Sequence, residues 1–176
     1  GNSIAAFEAG ADAVDVTVMG IGERAGNCAL EPFVMAASVA LGRAVGVRPE
    51  RLAELADLVS QASGQAIAPA QPIVGGRAIR HESGIHVHGL LRDASAYEPF
   101  DPNAIGRNRS ITLGKHSGAA SVCHAMQQVG IELSSDEARR LLPDIQKLAA
   151  HRPEGVKPAE VRKLWRGLNH LERAPS

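Results

Sequence analysis

Ala13-Val14-Asp15-Val16-Thr17-Val18, running into Gly20-Ile21-Gly22-Glu23-Arg24-Ala25-Gly26-Asn27, is the stretch that decides the fold. Its first six residues alternate apolar and polar side chains and include β-branched ones, the period-2 pattern of a strand. Gly20, Gly22 and Gly26 then predict a tight loop. From about Ala29 to Arg43 the residues read as a helix with Pro32 in its first turn, where proline is tolerated. Ahead of the strand, Ser3 to Glu8 followed by Gly10 reads as the tail of a helix closed by glycine. Helix, strand, glycine-rich loop and helix in that order indicate an α/β protein. The loop falls at the C-terminal end of the strand, where such proteins place their functional groups.

Working outward, Leu52, Leu55 and Leu58/Val59 share one face and predict an amphipathic helix from Arg51 to about Ala62. Gly64 to Gly76 holds Pro69, Pro72 and Gly75-Gly76 and no charge, which reads as a linker with a boundary near residue 65. Beyond it stand a histidine-rich stretch (81–88), a loop punctuated by Pro and Asn (99–110) and a short β-like Ile111-Thr112-Leu113. Ser134 and Glu137 form a capping box for a helix over 135–150, in which Pro143 should kink or break the ladder. A last helix from about Pro158 to Leu171 stacks Val161, Leu164, Leu168 and Leu171. The expected division is 1–65, 66–125 and 126–176.

The chain has 176 residues, too few for a complete (β/α)8 barrel of about 250. With 44% hydrophobic and 22% charged residues it has the balance of a globular chain rather than a disordered one. Lys plus Arg equals Asp plus Glu at 19 each, so no bulk field points to nucleic acid or an anionic membrane. One Trp, one Tyr and three Phe leave no platform for stacking bases. Cys28 and Cys123 stand far apart without a CxxC pair, which suggests reduced thiols and a cytoplasmic setting. No signal peptide or membrane span is evident. Gly1-Asn2-Ser3 opens inside a helical pattern without Met, and a fragment of a longer protein is expected.

Three clusters could carry chemistry. The loop 20–27 is neither a dinucleotide fingerprint nor a phosphate loop. It presents Glu23, Arg24 and Asn27: an Arg can clamp a carboxylate, and a carboxamide oxygen can ligate a hard cation. Asn27 could instead cap the following helix. His81-Glu82-Ser83-Gly84-Ile85-His86-Val87-His88 packs three imidazoles and a carboxylate together, suited to acid/base work or an anionic ligand, and Tyr97 beyond it could donate to a developing oxyanion. A zinc site there would lack a fourth ligand at a recognised spacing, and a solvated histidine-rich helix start is the plainer alternative. Leu113-Gly114-Lys115-His116-Ser117-Gly118 sets a cation and an imidazole at a helix start, either an anion site or an ordinary turn.

Taken together, GNSIAAFEAGADAVDVTVMGIGERAGNCALE (1–31), PIVGGRAIRHESGIHVHGLLRDASAYE (72–98) and LGKHSG (113–118) resemble the metal-dependent Claisen condensing enzymes, the family of homocitrate, 2-isopropylmalate and citramalate synthases. The likeness covers essentially the whole chain and looks more like the nitrogenase-associated homocitrate synthases, whose product serves the iron–molybdenum cofactor. It implies a TIM barrel, of which residues 1–65 would supply helix 7, strand 8 and helix 8, followed by mainly helical linker subdomains. It implies condensation of acetyl-CoA with a 2-oxo acid, 2-oxoglutarate for homocitrate, assisted by a divalent ion (Zn, Mn or Mg). Asn27 matches the family's metal-ligating Asn, beside an Asp and two His outside these residues. His86 and Tyr97 match the residues thought to act on the acetyl group, given across a homodimer to the partner's barrel. Glu23, Arg24 and His88 would support the site. Met19 and His88 depart from the common pattern, at positions where many relatives carry Asn and Asp or Ala. A non-catalytic dimerisation or metal-binding module is the reading from a different class.

Overall fold

Gly10, at φ +100°, lies just past α1 (Asn2–Glu8) and lets the Ala11 N–H donate back to Ala6 O, which closes the helix as its position predicts. The computed structural model describes residues 1–82, 89, 92–152 and 154–172, with the side chains of 168–172 outside that description. These residues form two compact units, Gly1–Ile79 with Pro99–Arg109 and Arg80–Glu98 with Ser110–Ser176.

In the first unit, residues 13–18 do not form the strand their alternation predicts. Thr17 is extended and makes a single parallel bridge to Ala29 before a 3-10 turn at Val18–Gly20. A strand is defined by its neighbours as much as by its own pattern, and among the described residues no other strand lies alongside this one. Next comes α2 (Leu30–Met35), with Pro32 in its first turn, and it runs into a π-helical turn at Ala36–Ala40 closed by Leu41 N to Ala36 O.

A 3-10 turn at Pro49–Arg51 leads into α3 (Leu52–Ser63), ended by Gly64 in the left-handed conformation. Its inward face is Leu52, Ala53 and Ala56, whereas Leu58 is 61% exposed. The leucine stripe expected from sequence is therefore rotated. The small alanines let the chain approach closely, and Gly106 lies against the Glu50 carbonyl. Val34, Met35, Leu52 and Ile105 form the core, flanked by Leu30, Val45, Ile73, Ile79 and Phe100. The uncharged segment 64–76, expected as a linker, packs into this unit: Val74 is 2% exposed, and Gln71 Nε2 donates to Met19 O at 3.3 Å.

In the second unit, β1 (Arg80–His81) pairs in parallel with β2 (Ser110–Ile111), and Leu113 bridges to Val156. Helices α4 (Ala119–Gln127), α5 (Ser135–Ala149) and α6 (Pro158–Glu172) pack around Leu113, Val122, Met126, Leu141, Ile145 and Val161. The capping box forms as read: Ser134 Oγ accepts from Glu137 N, and the Glu137 carboxylate accepts from Ser134 N. Pro143 interrupts the hydrogen-bond ladder at the Arg139 carbonyl, having no N–H to donate, but does not end α5. It lies on the exposed face, where water can satisfy the Arg139 carbonyl that lost its donor.

Candidate functional site

In the first unit the site is the loop between Thr17 and Glu31. Its two ends are stitched together by Thr17 N to Cys28 O (2.9 Å) and Leu30 N to Thr17 O (2.8 Å). Inside, Asn27 N donates to Gly20 O (3.0 Å) and Gly26 N to Glu23 O (3.0 Å). Gly26, at φ +85°, has no room for a Cβ because the Gly20 carbonyl oxygen occupies that space. Gly22 is bare for another reason: a Cβ there would meet the Asn27 side chain.

Asn27 does not cap the helix. The N-cap is Ala29, which has no side-chain cap bond. The Asn27 Nδ2 instead donates across the loop to Ile21 O at 3.1 Å, and the residue is exposed. Committing the amide nitrogen internally leaves the carboxamide oxygen as the group offered outward, an oxygen donor suited to a hard divalent cation. Glu23 and Arg24 are both exposed, Arg24 at φ 56°, and neither forms an ion pair with another described residue. The acid that holds this loop is Glu31, 1% exposed, whose two oxygens accept from Met19 N at 2.9 and 3.1 Å. Sequence reading passed over Glu31 because an acid in the first turn of a helix ordinarily needs no special role.

In the second unit, the histidine-rich stretch and the LGKHSG stretch meet. Ser117, buried, accepts from Gly114 N (2.9 Å) and donates to Glu82 O (3.0 Å), while Thr112 N donates to His81 O (2.9 Å). The Glu82 carboxylate occupies the space that a Gly114 Cβ would take, so a side chain at 114 would displace it. Lys115 and His116 face outward. His81 Nε2 and Glu98 Oε1 are 3.0 Å apart with side chains only 13% and 7% exposed, a pair of which sequence reading had noticed only the histidine. Tyr97, half-exposed, follows a 3-10 turn at Ala94–Ala96 capped by Asp93, and its ring covers Gly89. Bonds from the Ser95 hydroxyl, then from its backbone N–H, hold the Asp93 carboxyl below its usual range. Cys123 is a free thiol whose pKa is raised by burial, unlike an activated nucleophile. His86 and His88 lie outside the described residues.

Among the described residues, no three His, Cys, Asp or Glu side chains gather in a way that could hold a metal ion. The donor set fits a divalent ion only as a contribution of one oxygen, from Asn27.

Two family models match the chain in succession: "HMGL-like" over residues 1–59, and "Homocitrate synthase post-HMGL domain-like" over residues 73–153. Homocitrate synthase 1 of Nostoc is 41% identical over 163 residues, 93% of this chain and 43% of that protein. The chain belongs to the family of homocitrate, 2-isopropylmalate and citramalate synthases. A 2-isopropylmalate synthase of Caldanaerobacter subterraneus is 44% identical over 84% of this chain and 38% of its own. A protein of Methanoculleus marisnigri that carries an (R)-citramalate synthase name is 46% identical over 83% of this chain and 29% of its own. The chain thus spans less than half the length of these relatives. The three identities, 41%, 44% and 46%, lie close together although the three proteins carry different names. Within the family, the Asn27 loop falls in the HMGL-like part, and the His81–Glu98 pair, Tyr97 and LGKHSG fall in the post-HMGL part.

Proposed function

We propose that this chain is part of a synthase that condenses acetyl-CoA with a 2-oxo acid, and that the acid is 2-oxoglutarate, giving homocitrate. The observation that carries the reading is the succession of two family matches over residues 1–59 and 73–153, with a glycine-cleared loop in the first that offers the Asn27 oxygen outward. Residues 1–65 would form the closing part of a TIM barrel (helix 7, strand 8, helix 8), 66–125 a linker subdomain and 126–176 a helical subdomain. The product would be of the type supplied to the nitrogenase iron–molybdenum cofactor.

In the reaction the acetyl methyl group loses a proton, its carbon attacks the ketone carbon of the 2-oxo acid, and the ketone oxygen becomes a hydroxyl. Hydrolysis of the thioester then releases CoA. Asn27 would hold a divalent ion together with ligands from elsewhere in the enzyme. Such an ion, when bound, would be chelated by the 2-oxo acid and would supply Lewis-acid polarisation of its ketone. Tyr97, half-exposed after the Asp93-capped turn, would hydrogen-bond the thioester oxygen as charge develops there. His86 would move the methyl proton, and His88 would support the site. Arg24, exposed on the loop and in no ion pair among the described residues, would meet a substrate carboxylate, and the neighbouring Glu23 would support it. His86 and Tyr97 would serve the barrel of a second subunit in a homodimer.

No helix among the described residues is long and apolar enough to cross a membrane, and with two free cysteines the cytoplasm is the compartment we propose. The test is CoA release by the full-length synthase offered acetyl-CoA with 2-oxoglutarate, 2-oxoisovalerate or pyruvate, with and without a chelator. Chelator-sensitive turnover that prefers 2-oxoglutarate is expected. Preference for another acid would change the product and keep the chemistry, and no release with any acid would defeat the reading.

A further inference from the structure

We propose that Glu31 is a positioning residue for Asn27, acting through Met19 with Gln71 as its counterpart on the other side. The inference rests on the reading of Asn27 as a ligand of a divalent cation. Met19 sits at φ 57° and ψ 9°, the left-handed region that an unbranched non-glycine side chain enters only against a cost. Its neighbours hold it there from both ends. Both carboxylate oxygens of Glu31 accept its N–H, at 2.9 and 3.1 Å, and the Gln71 side chain donates to its carbonyl at 3.3 Å. The next residue, Gly20, donates to Thr17 O and accepts from Asn27 N, each at 3.0 Å. Glu31 therefore reaches the Asn27 backbone through one intervening dipeptide, and the Asn27 side chain is then fixed by its own bond to Ile21 O.

The burial of Glu31 supports a directional role. At 1% exposed, this carboxyl group has left water. An apolar side chain of similar size would fill the same space without the desolvation cost, so the carboxylate is not needed for packing. What it adds is the capture of one backbone N–H in one place, which fixes the peptide that fixes Asn27. Groups that orient a metal ligand from behind typically change metal affinity when replaced.

The experiment uses the full-length synthase stripped of metal and titrated with Mn2+, the free ion being counted by electron paramagnetic resonance, alongside thermal melting of the metal-free protein. Glu31→Gln keeps the volume but offers one acceptor oxygen and an NH2 in place of two oxygens, and should raise the Mn2+ Kd roughly tenfold. Gln71→Ala, at a half-buried position that tolerates truncation, should raise it at least about threefold, and it decides the matter if Glu31→Gln does not fold. Leu141→Ala, in the other unit, lowers stability without touching the loop and should leave the Kd within about twofold, which separates positioning from general destabilisation. Asn27→Ala tests the underlying reading: unchanged Mn2+ affinity there would remove the ligand role itself and this inference with it. Loss of affinity in Asn27→Ala with wild-type affinity in both Glu31→Gln and Gln71→Ala would overturn the positioning role alone.

Discussion

Replacing Gly22 by alanine should separate the function of the loop from its stability. The added Cβ would lie 3.0 Å from Asn27 Cγ and 3.3 Å from Asn27 N, and closer still to Nδ2. Ordinary contact is about 3.5–4.0 Å, so Asn27 Cγ must move by roughly 0.5–1 Å and the nearer Nδ2 by more than about 1 Å. It can do so cheaply, because the atoms met first are the end of an exposed side chain and Gly22 is not at a positive φ. The loss of the Asn27–Ile21 hydrogen bond costs about 0.5–1.5 kcal/mol. The reduced freedom of the unfolded chain returns about 0.4–1 kcal/mol. The two nearly cancel, and the melting midpoint should shift by less than about 4 °C. Function should respond differently, since a misplacement of about 1 Å at a reacting centre can cost roughly 100-fold. We expect kcat/KM for CoA release to fall by that order in the full-length synthase. Gly26→Ala is the contrast: at φ +85° and against the Gly20 backbone oxygen it meets atoms that cannot swing away, and strain of about 1–2 kcal/mol from the left-handed conformation alone should show in the melt. Wild-type kcat/KM in Gly22→Ala would refute the claim that the position of Asn27 matters, and a melt as low as that of Gly26→Ala would refute the claim that its side chain yields.

Leu141→Ala, at a 1% exposed position among α4, α5 and α6, should lower stability by about 2–5 kcal/mol in urea titration through the cavity it leaves. Ser134→Ala removes the cap of α5 and should cost about 1 kcal/mol near neutral pH. The Ser134 hydroxyl and then its backbone N–H hold the Glu137 carboxyl below its usual value, so that part of the stabilisation is present above the ordinary carboxylate pKa and fades as pH falls through the lowered one. The gap between wild type and Ser134→Ala should accordingly narrow between neutral and strongly acidic urea titrations, and a gap that widens would contradict the assignment. Tyr97→Phe keeps the ring over Gly89 and should lower kcat about 100-fold with little change in melting, whereas unchanged turnover would remove Tyr97 from the chemistry.

What could be read from the sequence follows the range of the interaction. The Ser134–Glu137 capping box and the glycine end of α1 are set by residues within one turn, and they are found where the pattern places them. The alternation at 13–18 was correctly extended at Thr17, but a ladder needs partners that these residues cannot declare about themselves. Leu58 points out because Ala53 and Ala56, less hydrophobic by composition, are the residues that permit close packing. Pro143 survives inside α5 because its face is wet, a fact about the surroundings of the helix and not about proline. At the site, Asn27 and Tyr97 were legible as candidates from residue type and motif. The Glu82–Gly114 and Glu98–His81 contacts were not, because each joins segments more than a dozen residues apart.

The distribution of backbone strain links these observations. Among the described residues, the non-glycine positions with positive φ are Met19, Arg24 and Ile73. The first two lie in the loop that carries Asn27, and the third follows Gln71 by two residues, in the segment that holds Met19 from outside the loop. A left-handed Met, Arg or Ile is unfavourable by itself and persists only where the surroundings over-determine it. Here the surroundings can be named: a buried carboxylate on one side of Met19, a carboxamide on the other, and a glycine on each side of Arg24 within two residues to relieve crowding. Packing alone gives no reason for such strain to gather on one loop and on the segment that holds it. The segment 64–76, uncharged and rich in proline and glycine, looked like a passive connection, yet it is half of the clamp. Strain gathered on one loop, and on the segment that holds it, is what a site requiring one fixed oxygen would need.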